Sequence, residues 1–394
     1  MSESADEGSA TDEGGAPDHG SAVDGARAPR EGEGIDPLTL GPFLAAQISS
    51  YEGGLEIAQF PSGHSNLTYS VSWLERGHRV ERVLRRPPFG NLVKTAHDMG
   101  REFRILSMLS ASSPLGRSEL GRSELGPYLP QAPRPILQVE DDSVLGAPFY
   151  LMERVRGVIL RRKLPRGVAI DAPTNARLAA AFVEQLAALH ALPWEAIGLG
   201  AIAPKPEGYV SRQVSGWAKR WHAAKIDEVP DLEDAATWLS TNLPPESVPT
   251  LIHNDFKYDN LVLDEHDLTT IRGILDWEMA TVGDPLMDLG TTLAYWIQAD
   301  DPPPLVAFAF GPTHLPGSPT RAQLAAAYAA KTGRSLEHIR FYYAFALFKN
   351  AVVAQQIYAR FVKGLTKDER FIAMGFAVQL LGSEAKRVTQ GGGL

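Results

Sequence analysis

Leu251-Ile-His-Asn-Asp-Phe-Lys-Tyr-Asp-Asn-Leu-Val-Leu-Asp264, with Ile274-Leu-Asp-Trp-Glu278 shortly after it, is the stretch that decides the fold. An apolar run delivers His253 and Asp255 into a loop, Asn260 follows, and the strand-like Leu261-Val-Leu263 leads away. A second apolar strand, Ile271 to Leu275, ends at Asp276. A short hairpin between these strands sets the end of the second beside the start of the first, so Asp255, Asn260 and Asp276 converge. That set suits phosphoryl transfer: one carboxylate (Asp255) accepts or orients a substrate hydroxyl, while Asn260 and Asp276 hold Mg²⁺ on nucleotide phosphates. Hard oxygen ligands that leave positions for phosphate and water suit this ion.

The flanks extend the pattern. Asp36-Pro37 is a helix N-cap followed by a first-turn proline, opening an element through Phe43, Leu44 and Ile48. Residues 69–73 and 79–85 alternate in strand fashion around a turn at Arg76-Gly77. A helix is expected from Ala96 to Leu109, and two more strands near Ile136–Val139 and Phe149–Val155. From Asp171 the pattern is mainly helical, interrupted by one short strand pair around Leu261–Leu275. The tandem GRSEL copies at 116–125 read as a duplicated surface loop. The expected organisation is an acidic disordered tail over 1–36, a β-rich lobe over 37–154 and a helical lobe over 155–390. Ligand sites tend to lie in the cleft such a plan leaves between its lobes.

Composition sets the outer bounds. The chain has 394 residues, 44% hydrophobic, 22% charged, and no cysteine, which excludes disulfides, thiolate metal sites and a cysteine nucleophile. No apolar run has the ~18–20 residues of a membrane helix, and no signal peptide is visible, so a soluble, cytoplasmic protein is expected. Residues 1–36 hold ten acidic and two basic side chains; they account for −8 of the formal −9 and leave the body at −1. That balance gives no basic footprint for nucleic acid. The sequence carries no reading of oligomeric state.

His253-Asn-Asp255-Phe-Lys257-Tyr-Asp-Asn260 resembles the catalytic loop H-R-D-x-x-x-x-N of the protein-kinase-like superfamily, and Asp276-Trp-Glu278 stands where that superfamily has D-F-G. Gly283-Asp-Pro-Leu-Met-Asp-Leu-Gly290 and Leu186-Ala-Ala-Leu-His190 are similar to segments of the aminoglycoside phosphotransferase family. Gln59-Phe-Pro-Ser-Gly-His-Ser-Asn-Leu-Thr-Tyr69 and Val83-Leu-Arg-Arg-Pro87 look most like the kinase-like domains related to those fused to some acyl-CoA dehydrogenases. The resemblance covers roughly residues 40–380 and implies an α+β, protein-kinase-like two-lobed fold that uses Mg²⁺ and ATP, with GTP as the alternative donor. It places Lys257 near the transferred phosphate, where a cation offsets developing charge. Ser62, Gly63, His64, Ser65 and Asn66 stand where the phosphate-covering loop runs. Arg85 falls at the position of the phosphate-binding strand lysine, with Arg86 adjacent and Glu102 as its helix partner. Glu153 and Val155 fall on the linker strand, whose backbone holds adenine. His253 is expected to serve the loop structurally, and Asp288 to anchor it. Glu278 stands either as a ligand of a second metal or as a solvated carboxylate.

The acceptor is expected against the helical lobe, with Arg212, Trp217, Trp221 and Lys349 as lining residues. A near-neutral body with basic candidate segments favours a neutral or anionic hydroxyl compound over a polycation. The resemblance implies a hydroxyacyl or hydroxyacyl-CoA compound as that small-molecule partner. The alternatives are an aminoglycoside or macrolide phosphotransferase, and a pseudokinase-like module that binds nucleotide without transfer.

Overall fold

The computed structural model describes residues 25–61, 66–88, 98–111, 128–203, 205–366 and 369–394. Helix α1 (Pro37–Gln47) starts as its sequence dictates: the Asp36 carboxylate accepts from the Leu38 N–H at 2.9 Å, and Pro37 needs no partner in the first turn. Strands β1 (Glu56–Gln59), β2 (Leu67–Glu75) and β3 (His78–Arg86) follow, then α2 (Met99–Ser110), β4 (Pro135–Val139) and β5 (Phe149–Glu153). The strands form one antiparallel sheet in the order β1-β2-β3-β5-β4. Its tightest hairpin pairs Glu75 with His78 across Arg76 and Gly77, both at positive φ, the geometry whose twist matches the strands it joins.

Two expectations need correction. The acidic leader is packed from Arg27 rather than from 37: Arg27 and Gln59 exchange backbone hydrogen bonds, Tyr69 donates to the Glu33 carbonyl, and Ile35 is buried. Arg27, Arg30 and Glu33 find hydrogen-bond partners on the sheet, which composition averaged over the leader conceals. The helical half also holds two strand pairs, not one. Besides β7 (Leu261–Leu263) with β8 (Ile271–Ile274), β6 (Thr250–Ile252) pairs with β9 (Thr281–Gly283). Three-residue strands are too short to show a period. The GRSEL repeat lies outside the described residues.

The helices of this half are α3 (Ala172–His190), α4 (Trp194–Ile197), α5 (Tyr209–Ala224), α6 (Pro230–Thr241), α7 (Pro285–Tyr295), α8 (Pro303–Val306), α9 (Arg321–Thr332), α10 (Ile339–Val362) and α11 (Ala373–Thr389). Together they bury one large apolar core centred on α10 and α7. The chain crosses from the sheet to this half along 154–158, where Val158 and Leu263 exchange two backbone hydrogen bonds of 2.8 Å. Gly157 permits that approach, since a Cβ there would collide with the Leu263 carbonyl. The crossing segment is thus pinned to the hairpin that carries Asn260 and Asp276. The expected α+β, two-lobed plan is the observed one.

Helices α7 and α10 touch backbone to backbone at Gly290, where a Cβ would lie 2.5 Å from the Tyr342 carbonyl oxygen. Gly290→Ala is expected to lower unfolding free energy by about 1–3 kcal/mol through forced separation of the two helices, measured by urea denaturation.

Candidate functional site

The loop between β6 and β7 is shaped from below by Asp288, on the first turn of α7. Its carboxylate accepts from the backbone N–H of His253 (2.6 Å) and of Asn254 (2.8 Å), and contacts His190 Nε2 at 3.1 Å. Burial opposes its charge, yet the His190 hydrogen bond and the nearby imidazoles hold its carboxyl below the ordinary range. The second nitrogen of His190 lies 2.7 Å from the Tyr328 hydroxyl. His253 Nε2 sits 2.9 Å from the Leu275 carbonyl, joining the loop to the β8 end. Asn254 takes φ +65°, a left-handed conformation that Asn and Asp tolerate best among residues with side chains. Its amide donates to the Met279 carbonyl and the Tyr209 hydroxyl, and its own carbonyl accepts from Lys349 Nζ at 3.1 Å.

This support aims Asp255 outward. Asn260 Nδ2 donates at 2.8 Å both to the Asp255 carboxylate and to its carbonyl oxygen. Lys257 Nζ lies 3.1 Å from the same carboxylate and 4.6 Å from the Tyr295 ring. Burial works against the ammonium, but Asp255 and Asp259 outweigh it and raise its pKa. Burial, with the Asp255 charge beside it, keeps the Tyr295 phenol protonated.

Facing the loop is a row of charges. Arg85 reaches from β3 with Nη1 on Glu102 of α2 (2.5 Å) and Nη2 on Asp276 (3.1 Å), and lies 3.8 Å from Glu278. Arg86 points elsewhere, to the carbonyls of Pro87 and Leu145, so of the two adjacent arginines Arg85 is the one at the site. Asp276 holds φ +66°. Burial opposes its charge, but the Arg85 guanidinium keeps its carboxyl low. Burial and the Asp276 charge push Glu278 up to about 7. Asn66, at the start of β2, donates to Glu278 at 2.7 Å, and Arg101 of α2 donates to the carbonyls of Glu278 and Ala280.

The structure therefore brings Asp255, Lys257 and Asn260 together in one loop, and Arg85, Glu102, Asp276 and Asn66 opposite. Glu153 ends β5 with its N–H bonded to the Arg134 carbonyl, and Val155 packs over Gly273. Ser62, Gly63, His64 and Ser65 lie outside the described residues. Trp221 does not line an acceptor site: it is fully buried in the helical core, with its indole N–H on Glu233. Arg212 is folded back onto the carbonyls of Lys205 and Glu207. Lys349 sits under the β6–β7 loop, on the Asn254 carbonyl, with Trp217 beside it. Sequence reasoning missed Asn254, Tyr209, Tyr295 and Arg101. Of these only Asn254, inside the quoted motif, had a local signal.

Among the described residues no three His, Asp or Glu side chains form a metal cage. The donor set still fits Mg²⁺, which keeps several waters and phosphate ligands of its own. The Asn260 NH₂ is spent on Asp255, while its Oδ1 and the second oxygen of Asp276 accept nothing from the described residues.

A family model described as "Phosphotransferase enzyme family" matches residues 56–326. Human acyl-CoA dehydrogenase family member 11 is 32% identical over 360 residues, 88% of this chain and 42% of that protein. The chain spans less than half the length of these curated relatives. A solved Ralstonia eutropha protein described as an aminoglycoside phosphotransferase superposes with TM-score 0.72 at 25% identity, covering 91% of this chain and 99% of that one. Choline kinase of Cryptosporidium parvum shares the fold, with TM-score 0.57 at 13% identity over 89% of this chain and 95% of that one. The chain belongs to the phosphotransferase enzyme family. The resemblance to the kinase-like part of the dehydrogenase-fused proteins is borne out, and so is the expectation of a small-molecule phosphotransferase. No described helix is long and apolar enough to cross a membrane.

Asp288→Ala orphans two buried backbone N–H groups and a His190 nitrogen. At roughly 1–3 kcal/mol for each unsatisfied group, a loss of about 3 kcal/mol or more is expected in chemical denaturation.

Proposed function

We propose that this chain transfers the γ-phosphoryl group of ATP to the hydroxyl of a small-molecule acceptor, with Asp255 receiving the hydroxyl proton. The observation that carries the proposal is the placement of Asp255. It is held by Asn260, flanked by Lys257, and faces the Arg85–Asp276 pair across the cleft. The acceptor oxygen forms a bond to the γ-phosphorus as the bond from phosphorus to the β-bridging oxygen breaks, and ADP leaves. Lys257 offsets charge on the transferred group. Asn260 and Asp276 would hold Mg²⁺, which when bound neutralises the phosphate oxygens.

For the nucleotide, Arg85 takes the place of a strand lysine and keeps that residue's tie to a helix glutamate, Glu102. Ser62, Gly63, His64, Ser65 and Asn66 would cover the phosphates, and the backbone at Glu153 and Val155 would meet adenine. Among the described residues the Val155 backbone makes no hydrogen bond, which leaves it available to a base edge. The acceptor class follows from kinship: relatives named as acyl-CoA dehydrogenases carry the matching segment, which favours a hydroxyacyl or hydroxyacyl-CoA acceptor handled before or after dehydrogenation. An antibiotic acceptor draws less support, because the body outside the leader is nearly neutral. A module that binds nucleotide without transfer is favoured by the departure of residues 62–66 from a G-x-G-x-x-G pattern and by arginine at position 85, though a guanidinium binds phosphate well.

ATP consumption should be screened over hydroxy acids, hydroxyacyl-CoA thioesters, aminoglycosides, macrolides and amino alcohols. With the acceptor found, Asp255→Asn should cut kcat by about 10²–10⁴. Asp276→Asn should remove the Mg²⁺-dependent part of the thermal stabilisation by ATP. Stabilisation that survives Asp276→Asn would refute the metal assignment.

A further inference from the structure

One cluster beneath the catalytic loop is left unused by the transfer machinery. Trp217, buried on α5, carries two cations against its ring: the Arg220 guanidinium 4.6 Å from the centroid, and the Lys349 ammonium of α10 at 5.9 Å. Lys349 is 6% exposed. An ammonium has three N–H donors. Among the described residues Lys349 spends one of them, on the carbonyl of Asn254, the residue before Asp255. Arg220 is exposed and makes no ion pair among the described residues.

Ordinary structural duty accounts for only part of this. The Asn254 bond needs a single donor and no second cation. The carboxylates nearest Lys349 are Asp255 and Asp288, and both already accept hydrogen bonds from other groups, while Lys257 and Arg220 add like charge. Burial and these like charges lower the Lys349 pKa, so the ammonium is held at a cost that a negatively charged oxygen would relieve. Both cations lie against the one Trp217 ring, and Lys349 is bonded to the residue that precedes Asp255. A guanidinium and an ammonium converging on one oxyanion give charge-assisted hydrogen bonds, the strong kind.

We propose that Arg220 and Lys349, both held against the Trp217 ring, form an anion subsite for the acceptor. The phosphorylated compound then carries a carboxylate or phosphate a few bonds from its reacting hydroxyl. This rests on the phosphotransferase reading above and narrows it: hydroxy acids and phosphorylated alcohols fit, and polycationic acceptors are repelled.

The test is calorimetric titration of the full chain, saturated with Mg²⁺ and a non-hydrolysable ATP analogue. The probes are 3-hydroxybutyrate and 4-hydroxybutyrate for the carboxylate arm, glycerol 3-phosphate for the phosphate arm, and the matching butanediols and glycerol as neutral controls. At least one anionic probe should bind about tenfold or more tighter than its neutral control. Arg220→Ala should erase most of that ratio without lowering the melting temperature, and Arg220→Lys should restore part of it. Lys349→Met serves as the second variant, judged by the same ratio because a purely structural lysine would weaken acid and diol alike. Anions that bind no better than their controls, or a ratio that survives Arg220→Ala, would overturn the subsite. Nucleotide affinity is titrated separately. Its absence refutes the phosphotransferase reading, and its presence without anion preference refutes the subsite alone.

Discussion

Everything at the site depends on the Asp288 carboxylate meeting the N–H groups of His253 and Asn254 from inside the protein. Those two bonds turn the chain as it leaves β6. On the opposite edge of the same peptide stretch the Lys349 ammonium takes the Asn254 carbonyl. The loop is thus gripped by an anion on its donors and a cation on its acceptor, and the left-handed conformation at Asn254 persists because its surroundings over-determine it. The helices that supply these groups, α7 and α10, are the pair that meets without side chains at Gly290. A packing contact in the core therefore sets the spacing of the two charges that fix the catalytic loop.

The cleft is crossed by a second, unbalanced set of charges. Arg85 faces Glu102, Asp276 and Glu278, one cation against three acids, and burial together with the Asp276 charge pushes the Glu278 carboxyl up to about 7. An arginine suits this row because a rigid fork presents separate donors to Glu102 and Asp276 together, where a lysine offers one nitrogen. The same row ties the β-sheet to the catalytic half, since β3, α2 and the β8 end each contribute to it. A divalent cation held by Asn260 and Asp276 would supply the positive charge the row lacks.

Much of this was legible in the sequence because spacing along the chain is conserved by local geometry. A strand, an eight-residue loop and a hairpin fix where Asp255, Asn260 and Asp276 fall, and the β2–β3 register follows from Arg76-Gly77. The roles of His253 and Asp288 were legible for the same reason, lying within or just beyond the motif. What stayed hidden depends on distant elements meeting. Tyr295 and Tyr209 reach the loop from α7 and α5, Arg101 reaches the Glu278 and Ala280 carbonyls from α2, and nothing local marks these meetings. Trp217 and Trp221 show how narrow the margin is. Four residues apart on α5, one lies beside Lys349 and the other is lost in the core against Glu233.

Charge shows the same limit from the other side. The formal −9 of the chain suggests an acidic protein, yet nearly all of it belongs to residues 1–36. Near Asp255 and among the acids of the site stand Lys257, Lys349 and Arg220, gathered from the loop, α10 and α5. Bulk charge governs solubility and long-range steering, and it falls off within a Debye length of about 8–10 Å. Recognition of an acceptor is decided inside that distance by a few groups in partly buried surroundings, where a single unpaired ammonium counts for more than a leader full of carboxylates. With the proposed subsite on α5 and α10, acceptor preference would follow from which side chains these helices turn toward the loop, a property of helix packing that net charge does not reveal.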